Sequence, residues 1–449
     1  MPPKKKNFNP SKRLIKLFLL FILAGTVLLK LPVSTVEPIS IVDALFTATS
    51  AVCVTGLTVQ ETGTFFTPFG QIVILILIQI GALGYMSLAS LLVIMLRRGI
   101  NIKEKLLVQH QISGVKSIKI SKFILRVVFL TLIMEVIGAA LLFQRMGMLF
   151  QDTSKRLYFS IFHAVSAFCN AGFDVFGGGV SLTPLRDDVI SVLLISILII
   201  TGGIGYIVIN DLIELFKSKF KKKRHRLSVH SKIVLTATAV LLLVGTVVYL
   251  ISEFNNPKTI GNLTVSKKLL MALFQSVTPR TAGFNMIDTQ GLINFSIIFT
   301  IVLMFIGASP GGTGGGIKTT TFVVMLNNLK SIISDKQDIT MFKRRLTLDT
   351  AKKTVAIFTL GIFFIFTFTL FISGFENFSV KKILFEVTSA FGTVGLSTGI
   401  TDQLSDPSKL LVVITMFFGR LGPLTIGTAL IKKKKKESYR YPEQEVAVG

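Results

Sequence analysis

Cysteine, histidine and acidic residues are all scarce here. The 449 residues hold two cysteines, four histidines and 23 acids, against 49 lysines and arginines. Zinc needs more ligands than Cys53, Cys169 and scattered histidines supply. An intramembrane enzyme needs converging acids, bases or metal ligands, and Glu135, Asp174 and Glu386 lie far apart with no paired base. Neither catalysis nor a cofactor bound by this chain is expected. No dinucleotide fingerprint occurs, and no polar stretch is long enough for a separate soluble domain. No Lys or Arg occurs between Leu31 and Gly70.

What fills the chain instead is apolar sequence. Mean hydropathy is +0.69 and 51% of residues are hydrophobic, which indicates a polytopic membrane protein. The net charge of +26 does not imply nucleic acid, because the basic residues cluster at the ends and in connections such as that of Arg97, Arg98, Lys103, Lys105, Lys116 and Lys119. This distribution places those connections and both termini in the cytoplasm, facing anionic lipid, and puts Gln60–Thr67 outside.

Four short stretches repeat: Ser50-Ala-Val-Cys-Val-Thr-Gly56-Leu57, Ser166-Ala-Phe-Cys-Asn-Ala-Gly172-Phe173, Val277-Thr-Pro-Arg-Thr-Ala-Gly283-Phe284 and Ser389-Ala-Phe-Gly-Thr-Val-Gly395-Leu396. Their glycines are spaced 172−56 = 116, 283−172 = 111 and 395−283 = 112 residues apart. Phe46, Phe162, Phe274 and Phe385 precede them in short apolar segments, and longer apolar runs flank each unit. The expected architecture is all-α: four helix–pore loop–helix repeats, eight spans, around one pseudo-fourfold pore. Its boundaries are a basic tail at 1–13, repeats at 14–110, 111–228, 229–348 and 349–431, and a tail at 432–449.

A glycine takes φ > 0 without strain, so loop carbonyls can face a common axis. A ring of carbonyls can replace the hydration shell of a monovalent cation, helped by the negative ends of the preceding half-helices. The expected ion-binding residues are Val54, Thr55, Gly56; Asn170, Ala171, Gly172; Thr281, Ala282, Gly283; and Thr393, Val394, Gly395. Glycine at all four ring positions favours potassium over the alternative of a sodium-selective or proton-coupled carrier.

One helix is interrupted by Gly307, Ala308, Ser309, Pro310, Gly311, Gly312, Thr313, Gly314, Gly315 and Gly316, which cannot hold a helix. Ile317 separates Gly316 from Lys318, so this is no phosphate loop, and a plug below the ring is expected. The other second helices are expected to run unbroken, near 71–96, 189–210 and 410–431. Arg420, between Gly419 and Gly422, is expected near mid-membrane, although a residue snorkelling to the interface is the alternative. Glu135, Cys53, Cys169 and His163 are expected to be buried packing residues; a disulfide between the cysteines is conceivable.

The sequence resembles the Trk/Ktr/HKT superfamily of cation transporters along nearly its whole length. The match is specific at Phe274-Gln-Ser-Val-Thr-Pro-Arg-Thr-Ala-Gly283-Phe, Phe385-Glu-Val-Thr-Ser-Ala-Phe-Gly-Thr-Val-Gly395-Leu and Gly419-Arg420-Leu-Gly-Pro423. Its length is most similar to the membrane subunit of bacterial Ktr systems. The resemblance implies potassium uptake, often sodium-stimulated, by a homodimer seated on a ring of cytoplasmic nucleotide-binding regulatory subunits. It also implies that 307–316 is the gate and that Arg420 lies beneath the filter.

Overall fold

A computed structural model describes residues 10–84, 120–220, 226–336 and 338–430, with 442 and 444. The basic connection expected from Arg97 to Lys119, the end of the helix expected to reach 96, and both tails lie outside the described residues, apart from residues 10–13, 442 and 444.

The helices are, in order, α1 (Pro10–Lys30), α2 (Ile41–Cys53), α3 (Thr62–Phe65), α4 (Pro68–Leu83), α5 (Ile120–Met146), α6 (Thr153–Phe168), α7 (Val189–Ile204) and α8 (Tyr206–Phe220). They continue with α9 (Val229–Glu253), α10 (Val265–Val277), α11 (Asn294–Phe305), α12 (Thr319–Ile333), α13 (Leu348–Phe375), α14 (Val380–Gly392), α15 (Asp406–Leu421) and α16 (Pro423–Leu430). The expected all-α content needs one small correction. A two-residue antiparallel pair, Thr340–Met341 with Arg344–Arg345, makes a hairpin between α12 and α13.

Three described helices are long and apolar enough to cross a membrane: the Ile124–Met146 part of α5, α9 and α13. The bent pair α7–α8 makes a fourth if it counts as one span. Local chemistry sets where helices start. Ser40 accepts from the Asp43 amide at 3.0 Å, and Thr67 accepts from Gly70 at 3.3 Å just ahead of Pro68.

The short helices α2, α6, α10 and α14 carry the interior. Phe46, Phe162, Phe274 and Phe385 are all buried, and the two largest apolar clusters form around them and their neighbours. The clusters join chain segments far apart in sequence. One packs Phe18 of α1, Leu77 of α4, Phe391 of α14 and Val412 of α15 together. The Lys409 ammonium closes the seam between α15 and α2 on Asp43 at 2.7 Å, with both side chains largely buried.

The helices expected to run unbroken do not. α4 stops at Gly84 (φ 69°), α7 at Gly205 (φ 92°), and α15 at Gly422 (φ 82°). At Gly205 the chain turns through 100° into α8. Three residues before each break, Gly81, Gly202 and Gly419 press against the carbonyls of Val52, Phe168 and Phe391, where a Cβ would collide. Just before they end, these helices therefore lie directly on α2, α6 and α14. Among the described residues, the interruption at 307–316 is longer than the breaks at Gly205 and Gly422.

Candidate functional site: a ring of loops with a strap beneath it

The four loops that follow α2, α6, α10 and α14 meet in a closed ring. A Cβ on Gly56 would strike the Ala171 carbonyl and lie 3.0 Å from the Gly172 Cα. One on Gly172 would lie 2.7 Å from the Ala282 oxygen and 3.2 Å from the Gly283 Cα. Gly283 stands in the same relation to Val394 and Gly395, and Gly395 to Thr55 and Gly56. Each glycine thus abuts the carbonyl of the residue before the next glycine, and the fourth returns to the first.

The loop backbone repeats its shape four times. Two residues before each glycine, Val54, Asn170, Thr281 and Thr393 adopt φ of 56°, 59°, 75° and 49°. They are four of the eight described non-glycine residues in the left-handed region, which costs free energy and persists only when the surroundings enforce it. Here the enforcing bonds are visible. Thr55, Ala171 and Val394 donate their amides to the Ser50, Ser166 and Ser389 carbonyls at 2.8, 2.8 and 2.9 Å. Ala282 donates to Thr278 at 3.0 Å. The Ser50 and Ser389 hydroxyls accept from Gly56 and Gly395, both at 3.1 Å.

Residues 306–317 form a strap against this ring. Its ends are tied by the Gly307 amide on the Ile317 carbonyl at 2.9 Å. One side rests on the broken end of α7, whose last carbonyls have no partner within the helix. Gly203 accepts from Ser309 at 3.0 Å, Gly202 accepts from Thr313 at 3.2 Å, and Gly311 accepts from Tyr206 at 3.0 Å. On the other side the Gly315 amide donates to the Thr393 hydroxyl at 2.9 Å, two residues before Gly395. Gly314 abuts the Thr281 hydroxyl so closely that no side chain would fit.

The Arg420 guanidinium bonds to the Thr313 carbonyl of the strap and to the Gly81 carbonyl at the broken end of α4. Its approach is possible because its neighbour Gly419 lies directly on Phe391. Sequence reasoning missed Lys318. Its ammonium donates to the Gly314 carbonyl at 2.7 Å and the Gly315 carbonyl at 3.3 Å. It also missed the contact of Asn170 with Thr281, 3.2 Å apart across two loops.

The remaining candidates are dispersed. Cys53 and Cys169 are buried and free. The Glu135 carboxylate accepts from Gln79 at 2.7 Å, and the Cys169 thiol donates to the Gln79 oxygen at 3.0 Å. His163 is buried with its Nδ1 2.7 Å from the Phe159 carbonyl. Glu386 accepts from Ser397 at 2.9 Å and from Thr401. Asp174 is bonded by the Phe176 amide at 3.3 Å. Among the described residues, none of these acids meets a second acid or a base in hydrogen-bonding range.

Loops joined into a ring within an apolar helical body, with a strap across them, define a membrane transport protein. The chain belongs to the TrkH family of cation transport proteins, whose family model matches residues 8–441. Among its relatives is the Ktr system potassium uptake protein B of Bacillus subtilis, 40% identical over 448 residues, covering 98% of this chain and 97% of that protein. The Ktr system potassium uptake protein B of Vibrio alginolyticus is 38% identical over 450 residues, covering 99% and 96%. The potassium/sodium uptake protein NtpJ of Enterococcus hirae is 34% identical over 456 residues, covering 99% and 98%. The fold is that of the potassium transporter TrkH from Vibrio parahaemolyticus, with TM-score 0.73 at 18% identity, covering 96% of this chain and 86% of that one.

Proposed function

We propose that this chain takes up potassium across the plasma membrane as the ion-translocating subunit of a Ktr-type system. The filter in this reading is the ring at Gly56, Gly172, Gly283 and Gly395, built on four helix–loop–helix repeats and eight spans. The observation that carries it is the cyclic contact in which each glycine abuts the next loop's carbonyl. A dehydrated monovalent cation needs several neutral oxygens at once, and those carbonyls supply them without a carboxylate.

The strap at 307–316 and Arg420 form the gate. Support comes from the bonds that tie the strap to Thr393 above and to Arg420 and Gly203 at its sides. A guanidinium at this point opposes a passing cation and holds the strap by its carbonyl. Sodium stimulates uptake, the protein is a homodimer, and a cytoplasmic ring of nucleotide-binding subunits controls it; these features rest on the kinship with Ktr proteins. Both termini lie in the cytoplasm, where their lysines and arginines face anionic lipid.

Uptake assays in cells lacking other potassium systems, with and without sodium, test this reading. Potassium-dependent rescue that sodium accelerates is expected. Accumulation of sodium without potassium would instead identify the sodium carrier.

A further inference from the structure

We propose that Ser50, Ser166, Thr278 and Ser389 are positioning residues that hold the ring in two different ways, so that Ser50 and Ser389 alone among them set its choice of ion. This deepens the reading of the ring as the filter and rests on it. The four side chains stand at matching places, at the end of each half-helix: 56 − 50 = 6, 172 − 166 = 6, 283 − 278 = 5 and 395 − 389 = 6 residues before the ring glycines. All four are buried.

Their hydroxyls do not repeat one bond. Ser50 and Ser389 accept from the amides of Gly56 and Gly395, both at 3.1 Å. Ser166 and Thr278 instead donate to the carbonyls of Phe173 and Phe284, both at 2.7 Å. An amide only donates and a carbonyl only accepts, so the direction of each bond is fixed. The division follows the chain. The ring glycine is followed by Leu57 and Leu396 in the first and fourth loops, and by Phe173 and Phe284 in the second and third. It also halves the ring, since Gly395 rests on Thr55 and Gly172 on Ala282.

A trans peptide group is planar, so its C=O and N–H point opposite ways. The Thr55 carbonyl and Gly56 amide belong to one such group, as do the Val394 carbonyl and Gly395 amide. Holding the amide back on the half-helix therefore aims the carbonyl away from it. These are the ring carbonyls against which Gly395 and Gly283 press. Without the hydroxyl, each loses a bond that orients it. In the second and third loops the held group lies farther along. The Phe284 carbonyl is drawn back to Thr278, while the Asn285 amide of the same peptide group donates to Ser181 at 3.2 Å. The ring carbonyls of Ala171 and Ala282 lie two peptide groups earlier and take no orientation from such a bond.

The test compares threonine with valine at each position, because the two share a shape and differ by the hydroxyl; Thr278 already stands in this place in the third loop. The readout is the ratio of potassium to sodium flux into vesicles reconstituted with the full chain. Ser50→Val against Ser50→Thr, and Ser389→Val against Ser389→Thr, are expected to lower that ratio about fivefold, the loss of one neutral hydrogen bond. Ser166→Val against Ser166→Thr, and Thr278→Val against the parent chain, should leave it unchanged. Ser50→Ala and Ser389→Ala, read against the parent, give the same comparison where a branched side chain does not fit, and the same fall is expected. Equal falls at all four positions, or larger ones at 166 and 278, overturn the proposal, because packing alone would then explain them. Gly56→Ala and Gly395→Ala are measured in the same vesicles. If they lower the ratio while the hydroxyl at 50 and 389 makes no difference, this proposal fails and the filter stands. If neither set moves it, the filter itself has been misassigned.

Discussion

Replacing the ring glycines one at a time by alanine should cause unequal losses of selectivity, and the inequality is fixed by geometry. A Cβ at Gly172 would lie 2.7 Å from the Ala282 oxygen, whereas ordinary contact begins at 3.4 Å, so that carbonyl must retreat by 3.4 − 2.7 = 0.7 Å. At Gly56, Gly283 and Gly395 the facing carbonyl is closer still and must move farther. A binding constellation tolerates displacements of about 0.5 Å, so each substitution should spoil recognition. The left-handed backbone, φ from 71° to 93° at these glycines, adds roughly 1–2 kcal/mol of strain for a residue with a Cβ. Discrimination between potassium and sodium should fall by about tenfold or more, which corresponds to about 1.4 kcal/mol. Gly172→Ala should be the mildest of the four. Gly374→Ala is the control, because nothing lies within 4 Å of its Cβ. The assay is potassium uptake against rising sodium, at matched membrane expression. Unchanged competition in all four variants, or the largest loss at Gly172, would refute the reasoning.

Removing the Arg420 side chain, or deleting Gly311–Gly315, should raise maximal potassium uptake with ion preference preserved; unchanged or lower uptake in both, with normal assembly, would mean that these residues only pack the helices. Single cysteines at Thr62 and Ser218, probed with an impermeant thiol reagent from outside, should label at Thr62 alone, and the reverse pattern would invert the topology. Asp188 caps α7 by accepting from the Ser191 amide at 3.2 Å and pairs with Arg145 at 2.6 Å. The bond from Arg145 holds its carboxyl down at about 2, below the unfolded value. Its stabilising contribution is therefore full above the ordinary carboxylate range and is lost as pH falls toward 2. Asp188→Ala should cost about 1 kcal/mol, most of it the lost cap, because the pair reaches solvent; thermal unfolding in detergent at neutral pH measures it, and an unchanged midpoint would contradict the cap's role.

The loops were legible because their signal is local and repeated. A glycine after a short apolar segment says little once, but Phe46, Phe162, Phe274 and Phe385 precede such glycines at nearly constant distance, and all four are buried. The strap was legible because six glycines and Pro310 in ten residues exclude a helix. The breaks at Gly84, Gly205 and Gly422 were not. One glycine in an apolar run costs a helix only about 1 kcal/mol. What ends α7 is contact with distant chain, since Gly202 and Gly203 give their carbonyls to Thr313 and Ser309. The partners of Lys318 were hidden for a related reason. They lie three and four residues away, a helical spacing, but on a stretch whose glycines forbid a helix.

The ring closes between the two ends of the chain. Gly395 rests on Thr55, 395 − 55 = 340 residues earlier, and Lys409 meets Asp43 behind that junction. During synthesis, three of the four loops are therefore made well before the one that joins them. A chain interrupted before α14 has an open crescent of carbonyls, whose last member faces no neighbour. On the proposed reading of the ring as the filter, size recognition needs oxygens on every side, so it first exists when the final quarter has been inserted and folded back on the first.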